Sequence, residues 1–161
     1  MNIIEKFYSA FQQKDYAAMQ ACYHPDARFT DEVFVDLDAA QVKAMWHMLV
    51  LAAKDMQLEY KNIDVFRDEG TANWIATYTF SLTKRKVINN IKANFILKDN
   101  LIYRHHDHFD FHKWAKMAFG SKGLLLGWTD YFRTKVRKTS REKLKSFMVK
   151  NNLGTINVSN A

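Results

Sequence analysis

The pattern of residues along the chain predicts an α+β domain: a curved antiparallel β-sheet packed on three N-terminal helices, with additional helices at the C-terminus. Apolar residues recur at helical spacing through the first third, then at alternate positions to about residue 112. Helices followed by an antiparallel meander are an α+β order. The length of 161 residues suits one domain, assigned to 1–150, with a loose tail over 151–161. Hydrophobic residues at 48% are enough for a sizeable core without staples.

Three helices open the chain. Ile3, Ile4, Phe7, Tyr8 and Phe11 share one face of a helix over residues 2–13. Asp15 caps a second helix, because its carboxylate accepts the unpaired N–H groups of the next turn. Ala18, Met19 and Cys22 face inward from it, and His24-Pro25-Asp26 ends it. Residues 27–34 are short and β-like, with Phe29 and Asp31 on one face. Asp38 opens the third helix, with Gln41 placed for a capping box. Val42, Met45, Trp46, Leu49 and Val50 form its apolar stripe.

The sheet follows. Leu58, Tyr60, Ile63 and Val65 belong to one strand, and Asp68-Glu69-Gly70 is expected to form a hairpin turn with Gly70 at positive φ. Trp74, Ala76, Tyr78, Phe80 and Leu82 share one face of the next strand. Lys84 to Lys86 make a second turn, Ile88 to Lys98 a third strand, Asp99-Asn100 a tight turn, and Leu101 to Phe111 the last strand. Trp114, Met117, Ala118 and Phe119 mark a short helix stopped by Gly120. A basic helix closes the domain, with Thr139 and Glu142 as a further capping pair. Strands long enough to curl, with helices closing one face, leave a pocket between the two layers.

The net charge of +7 invites a nucleic-acid reading, but its distribution argues otherwise. Arg133, Lys135, Arg137, Lys138, Arg141, Lys143, Lys145 and Lys150 interleave with Phe132, Val136, Leu144, Phe147 and Met148 at helical spacing. This is an amphipathic helix with a solvated basic face, and neither nucleic acid nor membrane is expected as a partner. The single Cys22 allows no internal disulfide and reads as a small buried hydrophobe. There is no signal-peptide pattern at the start and no apolar run of roughly 18 to 20 residues, so the expected location is cytoplasmic.

Strand alternation sorts the last strand. Tyr103, His105, Asp107 and Phe109 share one face; Arg104, His106, His108 and Asp110 share the other. Counting from the Asp99-Asn100 turn sets Ile96 opposite Tyr103, Asn94 opposite His105 and Lys92 opposite Asp107. The face with Ile96, Tyr103 and Phe109 is the more apolar, so His105, Asp107 and Asn94 are assigned to the pocket. A carboxylate or imidazole in an apolar pocket can act as a base near neutral pH. Asn94, Tyr78 or Lys92 could steady an enolate oxygen. The same Asp–His pair can equally be a satisfied buried hydrogen bond that fixes the strand. Asp31 can enter the pocket or hold the turn before the third helix, and the turn is the preferred reading. Trp46, Trp74 and Tyr78 can stack on a flat ligand or serve as core. His106, His108, Asp110 and His112 alternate onto the outer face, where a surface or interface cluster is favoured over a metal site. The chain has no glycine-rich phosphate loop and no GxSxG elbow, and no cofactor is expected.

Several ordered pieces resemble a known family. They are Phe7-Tyr8 with Ala10-Phe11, Asp15, Tyr23-His24-Pro25-Asp26-Ala27, Phe29 and Asp31, then Met45-Trp46 with Leu49. Tyr78-Thr79-Phe80, Arg85, Val87, the Asp99-Asn100 turn, Ile102, Arg104 to Asp110, Trp114, Gly120 and Leu126-Gly127 continue the set. Together they resemble SnoaL-like members of the nuclear transport factor 2-like superfamily. The resemblance implies a cone of curved sheet on three helices and a homodimer through the outer sheet face. It also implies Asp107 as base with His105 as its partner, acting on a small hydrophobic carbonyl compound as in cofactor-independent isomerases and polyketide cyclases. The same superfamily includes non-catalytic ligand-binding and dimerisation modules, which are the alternative.

Overall fold

The computed structural model describes residues 1–154. Three N-terminal helices, α1 (Ile3–Gln12), α2 (Tyr16–Ala21) and α3 (Ala39–Ala52), are interrupted by one strand, β1 (Tyr23–Thr30). The meander β2 (Gln57–Phe66), β3 (Glu69–Thr79), β4 (Lys86–Lys98) and β5 (Leu101–His108) follows. Three more helices end it: α4 (Phe111–Phe119), α5 (Ser121–Leu126) and α6 (Asp130–Lys150). The sheet runs in the order β1-β5-β4-β3-β2, antiparallel except where β1 lies parallel to β5. No described helix is long and apolar enough to cross a membrane.

Side-chain caps set the helix starts. Asn2 and Glu5 form a reciprocal box on α1, Asp15 accepts from the Ala18 N–H, and Asp38 with Gln41 repeats the box on α3. The expected cap at Thr139 does not exist. Helix α6 starts ten residues earlier, where Thr129 accepts from the Phe132 N–H, and it runs unbroken through Thr139. Val136, Leu144 and Met148 keep one face buried along its length, so nothing interrupts it there.

Two local expectations are corrected. Pro25 lies inside β1, not in a connection; β1 is an edge strand, where a missing N–H is tolerated. Gly70 is not a turn residue. The turn is at Arg67, which takes φ 55°, and Gly70 pairs with Val65 and Phe95 inside the ladder. A Cβ there would overlap Ile4 Cδ1, the tip of a flexible side chain, so the glycine marks the close approach of α1. Of the expected loose tail, residues from 155 on lie outside the described part. Just before them the Leu153 N–H bonds the Met148 carbonyl, and its side chain packs on the core.

The inner sheet face, α1 and α3 enclose the main core, with Phe7, Tyr8, Phe29, Met45 and Phe95 fully buried. A second apolar cluster gathers Phe111, Trp114, Ala115 and Ala118 of α4 against Val87 and Val136. It fastens the C-terminal helices to the open end of the sheet.

The α4–α5 corner depends on Gly123, where an added Cβ would collide with the Ala115 carbonyl and the Lys116 nitrogen. Gly→Ala ordinarily favours a helix by about 1 kcal/mol. Here backbone overlap dominates, and Gly123→Ala is expected to destabilise by about 1–3 kcal/mol in urea unfolding. Gly70→Ala meets only the tip of a side chain and is expected to cost less in the same measurement.

Candidate functional site

Strand β5 does not alternate regularly. Leu97 faces Ile102 as expected, but a bulge then shifts the register and sets Ile96 against Arg104 and Phe95 against His105. Tyr103 is therefore turned to the outer side, where the Arg104 guanidinium lies 3.9 Å from its ring centroid. The shift also corrects the partners across the sheet. Asp107 faces Ala93, and Asn94 and Lys92 face His106 and His108 on the outer surface. Neither Asn94 nor Tyr103 reaches the interior. His105 and Asp107 do, and each is only 2% exposed.

These two residues belong to a buried polar chain. Trp46 Nε1 donates to the Tyr23 hydroxyl at 2.8 Å, and that hydroxyl lies 2.6 Å from His105 Nδ1. His105 Nε2 lies 3.0 Å from Asp107 Oδ1, which also accepts from Trp74 Nε1 at 3.3 Å. An indole N–H can only donate, so the one proton of the Tyr23 hydroxyl is free to point at His105 Nδ1. Burial pushes the Tyr23 hydroxyl well up, which keeps that proton in place. The bonds are then all satisfied by the His105 tautomer whose proton sits on Nε2 and is directed at Asp107 Oδ1. His105 is held edge-on by Phe7 and Phe29 and stacked on Trp46, so its ring has one orientation.

Asp107 opens onto a cavity of about 1080 Å³ between the sheet and the helices. Trp46, Trp74, Tyr78, Phe109 and Trp114 are among its walls. Asp31 also lines it, yet its carboxylate is committed to a turn, accepting from the N–H groups of Val33 at 2.7 Å and Phe34 at 2.5 Å. Burial raises the Asp31 carboxyl to about 7, the two backbone bonds oppose this, and the nearby Asp107 charge adds to it. Tyr78 accepts from Trp114 Nε1 at 3.0 Å, which leaves its own proton to donate.

Two residues at the site escaped the reading of the sequence. Asn89 is the amide that lines the cavity, on the inner face with Val87, Ile91 and Ala93. A lone amide in that otherwise apolar alternation is a legible signal. Tyr23 links Trp46 to His105, and nothing in local pattern marks it, since its partners are 23 and 82 residues away.

The outer histidines do not form a ligand set. His106 and His108 stack at 3.8 Å, but Asp110 caps α4 and His112 lies within α4, with Nε2 at 3.2 Å from the Leu124 carbonyl. Among the described residues no three His, Cys, Asp or Glu side chains are grouped to hold a metal ion.

The family model of the SnoaL-like domain matches residues 4–105. No curated protein matches the chain in sequence. Solved structures share the fold at low identity. A nuclear transport factor 2-like protein of unknown function from Burkholderia pseudomallei superposes with a TM-score of 0.63 at 15% identity, covering 72% of this chain and 94% of the other. TerC, co-crystallised with polyporic acid, has a TM-score of 0.62 at 16% identity, covering 73% and 96%. A candidate polyketide cyclase from Silicibacter has a TM-score of 0.60 at 18% identity, covering 71% and 91%.

The state of Asp31 has a measurable consequence. Its carboxyl is raised in the fold from 3.8 to about 7, so the folded chain binds the extra proton between those values. Stability from this group is full below the unfolded value and is lost as pH rises through the folded one, at a slope of up to about 1.4 kcal/mol per pH unit. Asp31→Asn, which keeps the acceptor for Val33 and Phe34, is expected to flatten that fall in unfolding measured from pH 4 to 8.

Proposed function

The chain belongs to the SnoaL-like domain family, and on that premise we propose that it binds a flat hydrophobic carbonyl compound in the cavity and transfers a proton on it. The observation that carries this reading is Asp107: a carboxylate whose Oδ1 is fixed by two N–H donors while the residue lines a large, mostly apolar cavity. Asp107 takes a proton from the carbon next to the carbonyl. The electron pair moves into an enolate, whose oxygen is met by a donor such as the Tyr78 hydroxyl or the Asn89 amide. Return of the proton to another carbon completes an isomerisation; attack of the enolate carbon on a second carbonyl, whose oxygen takes up the proton that Asp107 removed, completes a cyclisation. Both outcomes are redox-neutral, so the scheme calls on no cofactor. His105 is a positioning residue that holds Asp107 correctly turned. That TerC, which shares the fold, was co-crystallised with polyporic acid supports a small-molecule ligand.

The test uses 2-tetralone, whose carbon next to the carbonyl exchanges protons measurably by NMR in deuterated buffer. The protein is expected to accelerate that exchange. Asp107→Asn, which keeps both hydrogen bonds to Oδ1, is expected to lower the acceleration by about 100-fold or more while quenching of tryptophan fluorescence by the ligand persists. Quenching without exchange in the natural protein would favour the non-catalytic binding module.

We further propose a homodimer through the outer sheet face. Ile88 and Ile96 are exposed there, and Ile75, paired with Asn90, lies on the same face between them. Light scattering is expected to give twice the chain mass, and Ile88→Lys to halve it.

A further inference from the structure

The charged residues that line the cavity are sorted by depth. Its acids are Asp31 and Asp107, both in the interior wall. Its bases are Lys122, Lys135 and Lys143, all exposed at the outer end on α5 and α6. None of the three lysines is in an ion pair among the described residues, whereas Arg133 is paired with Glu32. Lys135, Thr139 and Lys143 stand at successive turns of α6, roughly 6 Å apart along its axis, with Ser140 beside them. The mouth therefore offers two aligned cations with hydroxyl donors between them, above an apolar shaft that ends in carboxylates.

From this polarity we infer that the ligand is an aromatic acid: an apolar ring body with an anionic group at one end, which the Lys135–Lys143 face of α6 holds at the mouth. The inference rests on the reading of the cavity as a ligand site. An anion driven to the floor would meet Asp107 and Asp31 in a desolvated setting, where like charges repel strongly. The same anion at the mouth meets lysine ammonium groups and Thr139 and Ser140 hydroxyls. The compound thus enters ring first, and the orientation delivers its far end to Asp107. A free ammonium compound of the same shape would be oriented the other way.

Two dyes with one carbon skeleton separate these contributions. N-phenyl-1-naphthylamine is uncharged, and 8-anilinonaphthalene-1-sulfonate is the same frame with a sulfonate. Both are titrated by fluorescence at low salt. The sulfonate is expected to bind at least 10-fold more tightly, and that advantage should disappear in Lys135→Gln/Lys143→Gln while the uncharged dye binds as before. Lys138→Gln, on α6 but outside the cavity lining, should leave both titrations unchanged. Bound sulfonate should be displaced by 2-naphthoate or 2-naphthyl phosphate in preference to 2-naphthalenemethanol. Equal affinity for the two dyes, equal loss in Lys138→Gln, or equal displacement by the alcohol would overturn the inference. If the uncharged dye fails to bind at all, the cavity reading itself fails; if it binds and the sulfonate gains nothing, only the anion site does. Circular dichroism of the variants confirms that these exposed substitutions leave the fold intact.

Discussion

The Tyr23 hydroxyl is the point on which the interior depends. It joins Trp46 of α3 to His105 of β5 by hydrogen bonds, and through His105 to Asp107 and Trp74 of β3. A polar chain of this length is tolerable in an aromatic core only if every member is paired, because a stranded buried donor or acceptor costs about 1–3 kcal/mol. Both ends of the chain are indole N–H groups, which can only donate. The direction of every bond between them follows, and with it the tautomer of His105. One tyrosine on an edge strand thereby sets the aim of a carboxylate on the neighbouring strand.

That arrangement separates two carboxylates that would otherwise look equivalent. Asp107 spends Oδ1 on two side-chain donors and presents itself to the cavity. Asp31 spends Oδ1 on two backbone N–H groups of its own turn. Burial still lifts Asp31 to about 7, partly because Asp107 is charged nearby. Two acids in one apolar chamber cannot both ionise freely. The division gives one fixed acceptor and one group that changes charge near neutral pH.

Much of the fold is legible in the chain because its signals are local. The Asp15 and Asp38 caps and the alternation of Trp74, Ala76 and Tyr78 act within a few residues, and all appear where the pattern places them. His105 and Asp107 are also found inside, because alternation holds within the last half of β5. Asn94 and Tyr103 are not, because a single bulge between Ile96 and Leu97 displaces everything counted across the hairpin from the Asp99-Asn100 turn. A bulge leaves no composition signal here. Gly70 misled for a related reason: its role is contact with Ile4, 66 positions away, and the residue that takes the positive φ is Arg67.

The family match ends within β5. It covers residues 4–105 and stops short of Asp107 and of everything from α4 onward. Within it lie the cone, the polar chain up to His105, and the inner aromatics Trp46, Trp74 and Tyr78. Beyond it lie Phe109, Trp114, Phe132, Lys135 and Lys143, which complete the cavity walls and its mouth. The C-terminal helices are joined to the sheet by their own apolar cluster, anchored on Val87. Helix α6 also enters the main core through Leu144 and Met148, so the helices that shape the mouth also brace the core that aims Asp107. The part of the chain that the family match covers builds the shared fold, and the part beyond it completes the cavity walls.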